Sequence, residues 1–178
     1  DDLALLQYTG GTTGVAKGAM LTHGNILTNL DQVRAVSGGV MAREDQVLTA
    51  LPLYHIFAFT ANLMTFFELG ARNILIPSPR PVQNLQRAIE NYPITWITGV
   101  NTLFNALLNH PDVGRIDFSA LRIALGGGMA VQQTVSERWQ QRTGCPILEG
   151  YGLSETSPTA TLNHTDARGF SGSIGLPV

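Results

Sequence analysis

The chain has 178 residues, 44% of them hydrophobic, and a formal net charge of −2. That length suits one domain with a real core, and the near-neutral charge argues against a surface built for nucleic acid or another polyanion. A single cysteine, Cys145, excludes an internal disulfide and fits a reducing compartment.

Strand and helix signals alternate along the chain. Leu3 to Leu6 is a short apolar run that reads as a buried strand. Thr22 can cap a helix running to about Ser37, with Ile26, Leu30, Val33 and Val36 on one stripe and Gly38-Gly39 as the stop. Val47 to Leu51 reads as a strand, Pro52 to His55 as a turn, and a mostly apolar helix follows to Leu69. Next come a strand at Asn73 to Ile76, a helix at Gln83 to Asn91, a strand at Ile94 to Thr98 and a helix at Thr102 to Leu108. Leu121 to Leu125 is a strand entering Gly126-Gly127-Gly128. Val131, Val135 and Trp139 line a helix that Gly144 stops, and Ile147-Leu148 leads into Gly150-Tyr151-Gly152.

This alternation predicts an α/β fold, a doubly wound and mostly parallel sheet flanked by helices. Residues 1–162 form the α/β subdomain in this reading, and 163–178 are a loop or the start of a further segment. The chain opens Asp1-Asp2 without methionine and stops at Pro177-Val178, so it is expected to be a piece of a longer protein. No signal peptide is evident. The longest apolar stretch, Ile56 to Leu69, is broken by Thr60, Asn62, Thr65 and Glu68, and is too short to span a bilayer. Cys145 sits in an apolar run and reads as a buried thiol; His23, His110 and His164 read as surface or capping residues.

One stretch stands out: Tyr8-Thr9-Gly10-Gly11-Thr12-Thr13-Gly14-Val15-Ala16-Lys17-Gly18. It holds four glycines, three threonines and Lys17, the only lysine beside ten arginines. Glycine lets backbone N–H groups converge on an anion, threonine hydroxyls add donors, and lysine adds a compact positive charge. The reading is a phosphate-binding loop. Neither common pattern fits, because Ala16 and Gly18 flank Lys17 and no two of these glycines have the G-x-G spacing that opens the dinucleotide pattern. A flexible surface turn is the competing reading of this stretch alone. Leu53-Tyr54-His55, Gly126 to Gly128 and Tyr151 to Thr156 also follow strands, so all four segments can meet at the carboxyl edge of one sheet.

Taken together these segments resemble the adenylate-forming family of acyl-CoA synthetases, luciferases and peptide-synthetase adenylation domains. Tyr8 to Gly18 is similar to its phosphate loop, and Tyr151-Gly152-Leu153-Ser154-Glu155-Thr156 to its adenine-binding signature. Leu51 to His55 and Thr98 to Asn105 are most like the bacterial long-chain fatty acyl-CoA ligases, and the resemblance covers essentially the whole chain.

The resemblance implies ATP, Mg²⁺ and coenzyme A. A carboxylate attacks the α-phosphorus of ATP, and CoA then displaces AMP from the acyl-adenylate. It implies that Tyr8 to Gly18 hold the β- and γ-phosphates, with Thr9 near the metal and Glu155 as its carboxylate ligand. Ser154 and Thr156 would contact the α-phosphate or sugar, and Tyr151 would stack on adenine. Gly127 and Gly128 would leave room for adenine and the acyl carbonyl, Glu149, Gly150 and Gly152 would line the nucleotide pocket, and His55 would position the carboxylate. Phe59 matches an aromatic that gates the acyl tunnel in some relatives. Read singly, each residue also has an ordinary structural role: Tyr151 and Phe59 as core aromatics, Glu155 as a helix-start acid, His55 as a partly buried histidine.

Amino-acid-activating relatives hold the substrate ammonium with an aspartate just after the histidine turn. Here Ile56-Phe57-Ala58-Phe59-Thr60 has none, which favours a plain carboxylic acid. The partners implied are fatty acid, ATP and CoA, with no nucleic acid. A cytoplasmic parent enzyme, its peripheral contact with the inner membrane face and a homodimer are all compatible. The family's ribose-binding aspartate, hinge and C-terminal catalytic lysine match nothing in the chain, so ligase activity is expected of the parent and not of this portion alone. Alternatives left open are a ligase for another non-amino carboxylic acid and a non-catalytic nucleotide-binding module.

Overall fold

The computed structural model describes residues 2–9 and 16–178. Strands β1 (Leu3–Thr9) and β2 (Lys17–Thr22) pair antiparallel as a hairpin of their own. This corrects two expectations. The first strand is not buried, because a two-stranded ribbon can cover one face at most; Leu3 is 46% and Leu6 50% exposed. The glycine–threonine stretch joins two antiparallel strands, so it is not a strand-to-helix loop of the main sheet. A side-chain amide ties the hairpin down: Gln7 Nε2 donates to the Tyr54 carbonyl at 3.2 Å.

Helix α1 (His23–Val36) starts where the sequence places it. The Thr22 hydroxyl accepts from the Asn25 N–H at 3.1 Å, and Asn25 Oδ1 accepts from the Thr22 N–H at 3.0 Å, a reciprocal capping box. Its buried stripe is Ile26, Asn29, Leu30 and Val33. Asn29 was not expected inside. Its amide satisfies itself on the backbone of Thr159, donating to the carbonyl at 2.8 Å and accepting from the N–H at 3.0 Å.

The main sheet has seven strands in the order β4-β3-β5-β6-β7-β8-β9. These are β3 (Gln46–Thr49), β4 (Arg72–Leu75), β5 (Trp96–Gly99), β6 (Ile123–Gly126), β7 (Ile147–Gly152), β8 (Thr159–Leu162) and β9 (Leu176–Pro177). The first five are parallel, as expected, and β8 and β9 add antiparallel strands that the sequence reading lacks. β7 is longer than its apolar core and takes in Gly150-Tyr151-Gly152. The chain moves outward from β3 to β4, then returns past β3 to β5. The switch point of the sheet therefore lies between β3 and β5, where α/β folds leave a crevice at the carboxyl ends.

Alternation along the strands divides the core. Leu48, Ile97, Ala124 and Ile147 face one layer, against α3 (Gln83–Asn91), α4 (Asn101–Leu108) and α5 (Gln133–Thr143). There Trp139 sits edge-on to Phe104 and Phe118, at 4.9 and 5.4 Å between ring centres. Val47, Trp96, Ile123 and Leu148 face the other way, toward Phe66. This second face is covered by α1 and by a wide π-helical segment, Ala58–Met64, that runs into α2 (Thr65–Glu68). The expected apolar helix exists, but its first half is wound more loosely than an α-helix.

Asn62 explains how this segment holds. It is fully buried, and it joins a chain of side chains into the sheet. Thr98 Oγ1 donates to Asn62 Oδ1 at 2.8 Å, Asn62 Nδ2 donates to Thr49 Oγ1 at 3.0 Å, and Thr49 Oγ1 donates to Asn73 Oδ1 at 2.9 Å.

Cys145 is buried, and desolvation pushes its thiol up to about 11. His110 corrects another expectation. It is buried at the end of α4, with Nδ1 accepting from the Asp112 N–H at 3.2 Å. No described helix is long and apolar enough to cross a membrane.

Replacing Asn62 by alanine strands Thr98 as an unpaired buried hydroxyl and takes one of the two partners of Thr49, which keeps Asn73. We expect a cost of about 2–3 kcal/mol and a melting temperature lower by roughly 5–10 °C, read by calorimetry. A wild-type melting temperature would show that the segment does not depend on this amide.

Candidate functional site

A cavity of about 410 Å³ opens at the carboxyl edge of the sheet and runs back along its second face. Three strands form its floor through alternate residues: Trp96 and Thr98 of β5, Ile123 and Leu125 of β6, Leu148 and Gly150 of β7. Val33, Ile56, Phe57 and Ala61 form its roof. The inner part is apolar. The mouth carries Thr9, His55, Tyr151, Ser154 and Glu155.

Three turns shape the mouth. His55 follows β3, and its N–H donates to the Pro52 carbonyl at 3.0 Å. Its Nδ1 accepts from the Phe57 N–H at 3.2 Å, so a neutral ring carries its proton on Nε2 and has a donor to offer. Gly127 follows β6, where its N–H donates to the Gly99 carbonyl at 3.1 Å. A Cβ there would stand 3.1 Å from the Phe57 ring and 3.3 Å from the Gly150 carbonyl oxygen.

The third turn, Leu153 to Pro158, carries Ser154, Glu155 and Thr156. The Leu153 N–H donates to the Pro158 carbonyl at 3.1 Å, closing the turn onto β8. Gly152 precedes it, and a Cβ on Gly152 would lie 1.9 Å from the Pro158 carbonyl oxygen. Only glycine admits that approach. Ser157, at φ 68°, takes the left-handed conformation inside the turn. Among the described residues no side chain pairs with the Glu155 carboxylate, which is exposed at the mouth.

The cavity brings together Thr9, His55, Gly127, Gly128, Gly150, Tyr151, Gly152, Ser154 and Glu155 of the residues expected from sequence. Others stand apart. The Thr156 hydroxyl is spent inside its own turn, on the Leu153 and Pro158 carbonyls. Glu149 is buried with its carboxylate accepting from the Val131 N–H at 3.3 Å, away from the cavity lining. Phe59 is half-buried off the lining, and Phe57 supplies the aromatic wall instead. Tyr8, Ala16, Lys17 and Gly18 lie on the hairpin, with Lys17 directly opposite Thr9 in register. Gly10, Gly11, Thr12, Thr13, Gly14 and Val15 are outside the described residues.

Two contributors were not among the candidate site residues. Thr98 and Phe57 could be found from sequence only by alternation from Trp96 and by adjacency to His55.

The family model described as AMP-binding enzyme matches residues 1–178, and the chain belongs to that family. It is 58% identical to a long-chain-fatty-acid–CoA ligase of Escherichia coli O6:H1, over 100% of this chain and 32% of that relative. It is 38% identical to the enzyme of the same name from Bacillus subtilis, over 99% of this chain and 31% of that one. The chain thus spans about a third of the length of the curated relatives it matches. Among solved structures it is similar to an anthranilate CoA ligase in complex with anthranoyl-AMP, with a TM-score of 0.90 and 25% identity over 99% of this chain and 34% of that one. ATP-bound MatB from Rhodopseudomonas palustris gives a TM-score of 0.85 and 28% identity over 100% of this chain and 34% of that one.

Gly152→Ala is the sharpest test of the turn. The methyl must push β8 from β7, so we expect loss of nucleotide binding together with a fall in melting temperature. Unchanged ATP affinity by calorimetry would mean that the Leu153–Pro158 turn does not shape the site.

Proposed function

We propose that the protein of which this chain is part activates a fatty acid, joining it to the α-phosphate of ATP and then to coenzyme A. One observation carries the reading: a single cavity joins a polar, phosphate-suited mouth to an apolar interior, with His55 at the junction. Long-chain-fatty-acid–CoA ligase is also the name of the relatives with the highest identities given above.

The residues fit these roles. Ser154 offers a hydroxyl, the Thr9 hydroxyl donates to the Lys17 carbonyl at 3.3 Å and keeps its oxygen lone pairs for a cation, and Lys17 stands across the hairpin from Thr9 as the chain's one lysine. Tyr151 offers a half-exposed ring for adenine at the mouth. The His55 Nε2–H can donate to a carboxylate oxygen and aim it toward the nucleotide. Glu155 is the only acid lining the cavity among the described residues, so a substrate ammonium finds no second carboxylate.

Mg²⁺ fits the same residue. No group of three or more ligating side chains occurs among the described residues, and a hard cation held by one carboxylate and substrate phosphates needs none. Bound beside Glu155 and Thr9, it would supply charge neutralisation for two anions brought together. A cytoplasmic enzyme that meets the membrane only at its surface accords with this substrate.

Fatty acid-dependent ATP–pyrophosphate exchange by the full-length protein is the expected result, with AMP as the nucleotide product. No exchange with any acid from short to long, or release of ADP, would overturn the reading. Calorimetry with ATP and Mg²⁺ should show about tenfold weaker binding in Lys17→Ala and in Glu155→Ala, since each removes a charge-assisted contact. The chain by itself should form no thioester, because its single lysine sits on the hairpin and none lines the cavity.

A further inference from the structure

The apolar cavity and a pocket on the outer surface share a wall. The outer pocket, of about 430 Å³, is lined by Asp31, Arg34, Ala35, Gly39 and Leu69. Ser37 and Met41 line both spaces.

This wall stands at the end of the cavity remote from His55. Met41 packs against the cluster holding Trp96 and Ile123, which begin β5 and β6, whereas His55 and Gly127 follow the carboxyl ends of their strands. A chain whose carboxylate meets His55 and whose tail follows the strands backward ends at Met41.

The two wall residues differ in freedom. Ser37 is buried and fixed: its hydroxyl donates to the Val33 carbonyl at 2.6 Å, and its own carbonyl accepts from the Val40 N–H at 3.2 Å and the Thr165 hydroxyl at 3.4 Å. The backbone on either side of Met41 is fixed too. The Val40 carbonyl accepts from the Arg122 guanidinium, and the Ala42 N–H donates to Asp45 Oδ2 at 2.8 Å. Asp45 is buried and also accepts from Thr95 Oγ1 at 2.7 Å and Arg122 Nη2 at 3.1 Å. The Met41 side chain alone is unbranched, without hydrogen bonds, and able to change rotamer against a rigid frame.

We propose that Met41 is the length-determining residue of the acyl cavity, a movable stop between the buried channel and the outer pocket. The inference rests on the fatty-acid reading above. Tails that fit short of Met41 are fully enclosed. Longer tails must turn the thioether aside and emerge beside the Arg34–Glu68 ion pair, where a methylene gains little apolar contact.

The test is the acyl-length profile of ATP–pyrophosphate exchange in the full-length protein, with saturated acids from short to long. Met41→Ala joins the two spaces, and should raise the long-to-short rate ratio by about fourfold for each methylene that newly gains apolar contact. Met41→Trp fills the inner end and should cut the same ratio by about tenfold or more. Because rates are compared as ratios within one variant, partial loss of folded protein cancels, and the alanine variant carries the test if the tryptophan variant does not fold. If the wild type exchanges and the variants keep its profile, Met41 is not the stop and the functional reading stands. If the wild type exchanges with no fatty acid, the functional reading fails and this inference fails with it.

Discussion

The cavity face depends on one buried side-chain amide. A parallel sheet must be covered on both faces, and on one of them three regular helices do so with aliphatic and aromatic side chains. On the other, the cover is a loosely wound segment that leaves space beneath it. The residues that this segment buries are Ala58, Thr60 and Asn62, two of them polar. Asn62 supplies the anchor by hydrogen bonding to Thr49 and Thr98 on adjacent strands. The same threonines lie on the strands that flank the switch point, and Thr98 also lines the cavity, so the anchor borders it.

Glycines do the complementary work. Gly152 and Gly127 are not merely permissive turn residues; both sit where another backbone or ring approaches to within a side chain's thickness. They let β7, β8 and the turn after β6 crowd together at the mouth. Charge is then delivered by few residues, since the mouth holds one carboxylate and one imidazole among the described side chains.

Much of this was legible in the sequence. Helical stripes and strand alternation located α1, α3, α5 and the parallel strands, and the Thr22 cap and Gly144 stop fell where their chemistry predicts. The hairpin was not legible, because Leu3 to Leu6 is apolar whether or not a sheet covers it. Nor were β8 and β9: Thr159–Leu162 is short, and its first residue is held by an Asn29 amide more than a hundred residues away, which no local pattern reports. At the mouth, Gly152 stands where the Pro158 carbonyl leaves no space for a side chain, and Glu155 lines the same cavity. The direction of a side chain is what sequence does not report. Phe57 and Phe59 are equivalent in sequence, and the pitch of the segment decides which ring meets the cavity. Glu149 looks like a site acid, yet it faces the backbone N–H of Val131.

The Gln7–Tyr54 hydrogen bond has a mechanical meaning. It is the one described side-chain bond from β1 or β2 to the turn that carries His55, and it lies at the surface. A bond of that kind is worth about 1 kcal/mol, little above thermal energy. The two halves of the mouth, one on the hairpin and one on the sheet, are thus latched together and not welded. Leu21 of β2 is buried, so the hairpin is anchored at its root, and this surface bond sets only how its strands lean against the turn that carries His55.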